Sequence, residues 1–157
     1  MAENNTQLRL LHFRSDNKDY AMDLSCVKEI IRMAALDRVS ELPEFVIGII
    51  NLRGETLPVV DFLSRSGAGT TAIQLKTRVV IMKIKSVTLG LMVDEVKETF
   101  EVEEKNISKN IQPDVVIDPK YILGTFLFNE HMTILVDVQK LFTVNEFKKL
   151  EQGVINA

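Results

Sequence analysis

The sequence has few of the residues that carry chemistry. Its 157 residues include one cysteine, Cys26, two histidines, His12 and His131, and no tryptophan. A single cysteine excludes an intrachain disulfide, and nothing points to an oxidising compartment. Neither histidine has a cysteine or carboxylate at ligand spacing, so no metal site is expected, and Cys26 has no histidine near it in sequence to make it a nucleophile. Gly-x-Ser-x-Gly, Gly-x-x-x-x-Gly-Lys and Gly-x-Gly-x-x-Gly are all missing, so no cofactor is expected. No run approaches the ~18 apolar residues of a membrane span. The opening residues 1–7 are polar and lack an apolar signal core, which leads us to expect a cytoplasmic protein. Basic excess is lacking too: net charge is −3 and the pI about 5.5, against a nucleic-acid partner.

What is present is a globular composition, 46% hydrophobic and 26% charged, in a chain long enough to bury roughly 70% of its unfolded surface. Its centre of interest is residues 47–61, two apolar β-runs joined at Arg53-Gly54-Glu55. Gly54 supplies the positive φ a tight hairpin needs. Pro58 lacks an N–H, which predicts an edge strand or a bulge. Asp61, directly after the run, suits the cap of a helical turn. A planar cation at a hairpin tip points outward to a partner, with Glu29 as a local carboxylate able to hold it.

The pattern then repeats. Arg78-Val79-Val80-Ile81-Met82 answers Arg9-Leu10-Leu11-His12-Phe13 at an offset of 69 (78 − 9), and Val96-Lys97-Glu98 repeats Val27-Lys28-Glu29 identically. Further on the offset is 76 (124 − 48): Gly124 answers Gly48, and Leu135-Val136-Asp137 answers Val59-Val60-Asp61, the added residues falling in a turn-rich insertion from about 111 to 119. Each copy holds about five short strands, and small sheets escape bare edges by closing. The expected fold is therefore mostly β, two SH3-like five-stranded β-barrels from an internal duplication, plus a C-terminal helix. The first barrel is placed at about 8–66, a flexible Gly/Ser/Thr linker at 64–72, and the second barrel at 73–142. Thr143-Val144-Asn145-Glu146 is a capping-box pattern opening a helix over about 144–152, with Phe147, Leu150 and Val154 on one face. The counterpart of Arg53-Gly54-Glu55 is Asn129-Glu130-His131, so the fold does not itself require Arg-Gly. Enzyme chemistry at Asp61, Asp94 or Asp137 is the alternative, weakened because Asp61 and Asp137 are repeat equivalents suited to capping.

Residues 42–61, Leu-Pro-Glu-Phe-Val-Ile-Gly-Ile-Ile-Asn-Leu-Arg-Gly-Glu-Thr-Leu-Pro-Val-Val-Asp, resemble the signature of the CheW family, the coupling proteins of bacterial chemotaxis. The resemblance takes in residues 20–24, 27–30 and 90–96 and runs from about Leu8 to Leu150 as one CheW-like domain. It implies two SH3-like barrels and a non-enzymatic adaptor, recruited from the cytoplasm to receptor arrays. Its implied partners are the regulatory domain of the histidine kinase CheA and the cytoplasmic tips of methyl-accepting chemotaxis receptors, without nucleic acid or direct membrane insertion. Receptor sites of the family lie in the groove between barrels, which carries over to Val27, Gly48, Asn51, Arg53, Val79 and Val96, with Glu29 and Ile30. No kinase-facing residue carries over.

Overall fold

In a computed structural model, which describes residues 6–37, 43–110 and 115–155, the chain forms ten strands and two α-helices. The strands are β1 (Gln7–Ser15), β2 (Lys18–Asp23), β3 (Val27–Arg32), β4 (Val46–Leu52), β5 (Glu55–Asp61), β6 (Arg78–Ile84), β7 (Val87–Val93), β8 (Glu95–Glu103), β9 (Ile122–Phe128) and β10 (His131–Val136). The helices are α1 (Phe62–Ser66) and α2 (Val144–Ile155). Residues 38–42 and 111–114 of the expected connectors, and Val154's place on the helix face, lie outside the described residues.

The ten strands form two five-stranded sheets, β8-β1-β2-β10-β9 and β3-β6-β7-β5-β4. This is the mostly-β, SH3-like class read from the sequence, with open ladders in place of closed barrels. Replacing each strand by its repeat equivalent turns the order of the first sheet into that of the second. Even the parallel pairings agree: Leu135 faces Ala21 in one sheet, as Val59 faces Gly90 in the other.

The expected division into consecutive barrels, 8–66 and 73–142, does not follow the sheets. Each half gives two strands to one sheet and three to the other. After β2 a 3₁₀ turn at Leu24–Cys26, capped by the Asp23 carboxylate on the Ser25 N–H, turns the chain away. β3 consequently pairs with β6, while β1 pairs with β8.

Local sequence explains the joints. Four hairpins close with two-residue loops, and positive φ falls at Asp16 and Asn17, at Arg53 and Gly54, at Lys85, and at Asn129 and Glu130. Paired positive φ is the type I′ requirement, whose twist matches that of the flanking strands. Pro58 sits in an interior strand, a correction to the edge expected for it. The parallel ladder from β5 to β7 starts one residue later, at Val59, so the missing N–H costs no bond on that side. The bulge is in β4, between Val46 and Gly48.

The expected linker at 64–72 begins as helix and is anchored again at Thr71. Ser64, Arg65 and Ser66 belong to α1, which ends on Gly67 in the left-handed region at φ +83°. The Ser66 hydroxyl donates to Phe62 O at 2.8 Å, and the Thr71 hydroxyl donates to Asp61 at 2.5 Å. Ser66 and Thr71 are thus buried and bonded inside the protein, while Ser64 and Thr70 stay exposed.

The main core lies between the sheets, around Phe13, Tyr20 and Phe62, whose rings meet at 5.0–5.5 Å. Each of these buried side chains contributes about 1.5–3 kcal/mol of burial. Two smaller clusters belong to one sheet each, and they correspond through the repeat: Ile50, Val59 and Val79 in one, Phe126, Leu135 and Leu10 in the other. The α2 capping box is complete: Thr143 Oγ1 accepts from the Glu146 N–H, and Glu146 accepts from the Thr143 N–H. Phe147 and Leu150 are buried beneath that helix.

Candidate functional site

The hairpin tip carries an exposed charge that the fold fixes in place. Arg53 occupies the first turn position at φ +51°, and Gly54 the second at +84°. A Cβ on Gly54 would have no atom within 4 Å, so space is open around the tip. The Arg53 Nη1 donates to Glu29 Oε2 at 2.7 Å and the Nη2 to Oε1 at 2.8 Å. Two of five guanidinium N–H groups are thereby used and the others stay free for a partner. The Arg53 side chain is 72% exposed and that of Glu29 31%.

Glu29 is placed by a bulge. Register along β3 and β6 slips between Val27, which faces Met82, and Glu29, which faces Ile81. Such a bulge re-aims side chains. The identical tripeptide Val96-Lys97-Glu98 lies at the corresponding slip of β8 against β1, between Leu11 and Phe13. There Glu98 is held by His12 Nδ1 at 3.0 Å instead of by an arginine. The hydrogen bond from Arg53 pulls the Glu29 carboxyl below its ordinary 4.5, and the same bond raises the guanidinium.

Around this pair the structure brings together part of the expected set. Val27 and Ile30 share β3 with Glu29, Val27 half-buried and Ile30 40% exposed. Asn51 is exposed two residues before Arg53. Val96, the repeat equivalent of Val27, lies in the other sheet, and both pack against the central cluster.

Two expected residues are core. Val79 is 0% exposed, faces Ile31 on β3 and packs among Ile50, Leu57 and Val59, so no partner reaches it in this conformation. The signal was in the sequence: Val79-Val80-Ile81-Met82 has no polar alternation, as in a strand covered on both faces. Gly48 is buried too, because the connector after β3 crosses it. A Cβ there would stand 2.8 Å from the Leu36 Cβ and 3.1 Å from Asp37 O. Asp37 and Ile49 close that crossing with two backbone hydrogen bonds, which sequence reading missed. Gly124 has the same duty beneath Ile107 and Ser108.

The strand-end aspartates are occupied by turns. Asp61, 1% exposed, accepts from the N–H groups of Leu63 and Thr71 and from the hydroxyls of Ser64 and Thr71. Asp137 caps the 3₁₀ turn Val138–Leu141, and Asp94 accepts from the Asp16 N–H at 2.7 Å. Burial, reinforced by Asp23, pushes the Cys26 thiol up to about 11. Among the described residues no three His, Cys, Asp or Glu side chains are grouped to hold a metal ion. Nor, among those residues, is any helix long and apolar enough to cross a membrane.

These features define a duplicated, strand-exchanged β protein with an exposed, preset charged hairpin rim. Comparison with known proteins then gives the family. The model of the CheW-like domain matches residues 9–146, and the chain belongs to that family. It is 28% identical over 139 residues to the chemotaxis protein CheW of Rhizobium meliloti, covering 87% of this chain and 88% of that one. With the chemotaxis protein CheW of Treponema pallidum it shares 27% identity over 154 residues, covering 96% and 91%. Among solved structures it resembles the scaffolding protein TtCheW from Thermoanaerobacter tengcongensis, with a TM-score of 0.77, 29% identity and 93% and 96% coverage.

Proposed function

We propose that this chain is a cytoplasmic, non-enzymatic adaptor coupling methyl-accepting chemotaxis receptors to the histidine kinase CheA. The names of its relatives, chemotaxis proteins and a scaffolding protein, support that role. The observation that carries the receptor half is the bidentate Arg53–Glu29 pair. It holds an exposed guanidinium, fixed in orientation, at a tip whose repeat equivalent, Asn129-Glu130, carries no cation. Free N–H groups of that fork suit a carboxylate or backbone carbonyl on a helical receptor tip, while Ile30 and Val27 beside it offer apolar contact. Within this reading the contact set is Val27, Glu29, Ile30, Asn51 and Arg53, with Val96 on the other sheet. Gly48 and Val79 act beneath it as support.

Co-sedimentation with receptor-containing membranes and with kinase, separately and together, tests the reading. The intact protein is expected to pellet with receptor membranes and to carry kinase with it. Val27→Asp is expected to weaken receptor binding more than kinase binding. Equal loss of both would remove the receptor assignment of this rim.

A further inference from the structure

Because the two sheets correspond strand for strand, what covers one shows what would fit the other. On the second sheet α2 lies over the start of β5 and the β6–β7 tip. There Leu150 and Glu151 line a crevice with Thr56, Leu57, Ser86 and Val87. The Ser86 hydroxyl donates to Glu151, while Phe147 and Leu150, one turn apart, supply the apolar face. The equivalent place on the first sheet is a crevice of about 430 Å³, lined by Asn17, Lys18 and Asp19 at the β1–β2 tip and by His131, Met132 and Ile134 of β10. Among the described residues no helix lies on it; Val115 of the connector before β9 forms one wall.

Its rim differs from the covered one. Met132, 43% exposed, stands where the second sheet has Thr56, and its cross-strand neighbour Leu127, 72% exposed, stands where it has Asn51. An apolar pair exposed beside a crevice marks a contact surface. The charge left over is positive. Asp19 is already engaged by His12 at 2.8 Å and Arg14 at 3.3 Å, whereas Lys18 forms no ion pair among the described residues.

We propose that this crevice docks an amphipathic helix of another protein, seated on the first sheet as α2 is seated on the second. Such a helix presents two large apolar side chains one turn apart to Met132 and Leu127. A carboxylate beside the second of them meets the Asn17 amide and the Lys18 ammonium, as Glu151 meets Ser86. The site is separate from the Arg53 rim and stands or falls without it.

The probe is a lactam-bridged peptide with the sequence of residues 143–155, added to the full-length protein with labelled methionine methyls and backbone amides. Saturable shifts are expected at Met132, Lys18 and His131. Met132→Glu and Lys18→Glu are each expected to weaken binding about tenfold or more, Met132→Leu to preserve it, and the melting temperature to stay unchanged in all three. Absence of shifts at millimolar peptide would overturn the proposal. So would shifts confined to Leu57 and Val87, which would mean exchange with the resident α2. A change of sedimenting mass in Met132→Glu with peptide affinity unaltered would assign the face to a second copy of the chain and also overturn it.

Discussion

The guanidinium of Arg53 lies against the carboxylate of Glu29 through two hydrogen bonds of 2.7 and 2.8 Å, and the strands that carry them are separated across the sheet. Arg53 tops the hairpin of the edge strand β4, and Glu29 sits on β3, the opposite edge. The pair therefore spans the gap that hydrogen-bonded closure would have filled, and it spans it at the surface. Exposed pairs of this kind add little stability and are screened by salt. Orientation of the fork is what the contact secures.

Replacing Arg53 by Ala is accordingly expected to leave the melting temperature at neutral pH nearly unchanged while lowering receptor binding about tenfold. Exchanging the two charges, Arg53→Glu with Glu29→Arg, is expected to restore the ion pair and not the binding. Thermal melts alongside membrane co-sedimentation separate the effects, and a collapse of folding in Arg53→Ala would make the residue structural.

The Glu29 carboxyl is expected to titrate below its ordinary 4.5 in carbon-detected NMR, and to move back toward that value in Arg53→Ala. A folded-state value below the unfolded one means the pair's contribution is present above 4.5 and is lost as pH falls through the folded value. The stability difference between the parent protein and Arg53→Ala should thus be small at neutral pH and vanish in acid.

Gly48→Ala and Gly124→Ala are both expected to destabilise, by about 1–3 kcal/mol in urea unfolding. The added methyl meets backbone in each case, Asp37 O at 3.1 Å and Ser108 O at 2.8 Å, so Gly124→Ala should cost the more. A neutral result at Gly48 would return that position to the partner-contacting set.

Asp61→Ala and Asp137→Ala separate a buried cap from an exposed one. Asp61 satisfies four donors inside the protein, and its loss is expected to cost about 3 kcal/mol or more. Asp137 accepts from the Gln139 N–H alone at an exposed turn, and about 1 kcal/mol is expected. Equal costs in denaturant titrations would contradict the assigned geometry.

With a thiol raised to about 11, Cys26 is expected to react slowly with iodoacetamide at pH 7.5 and normally once the chain is unfolded. Fast labelling of the folded protein, followed by mass spectrometry, would refute its placement.

Much of this was legible in the residues. The offsets of 69 and 76 paired Gly48 with Gly124 and Asp61 with Asp137, and the structure gives both members of each pair the same duty. The Thr143–Glu146 capping box and the turn at Arg53-Gly54 were readable because they depend on neighbours in sequence. Strand exchange was not readable. β3 would bury the same alternating side chains against β1 as against β6, so the pattern is blind to which copy a strand joins. Val79 was carried over from the family resemblance, which names a position without saying which face of its strand it lines, and in this chain it lines the core. Residues 64–71 misled because Ser64, Ser66 and Thr71 bond to Asp61 and Phe62, and composition cannot distinguish that from solvation.

The exchange of strands has a consequence for how this molecule can be divided. Cutting the chain between α1 and β6 would leave two fragments, each with two strands meant for one sheet and three for the other, and neither could complete a fold without its counterpart. The duplication has made the halves mutually obligate: they can be inherited, lost or grafted into another protein only together.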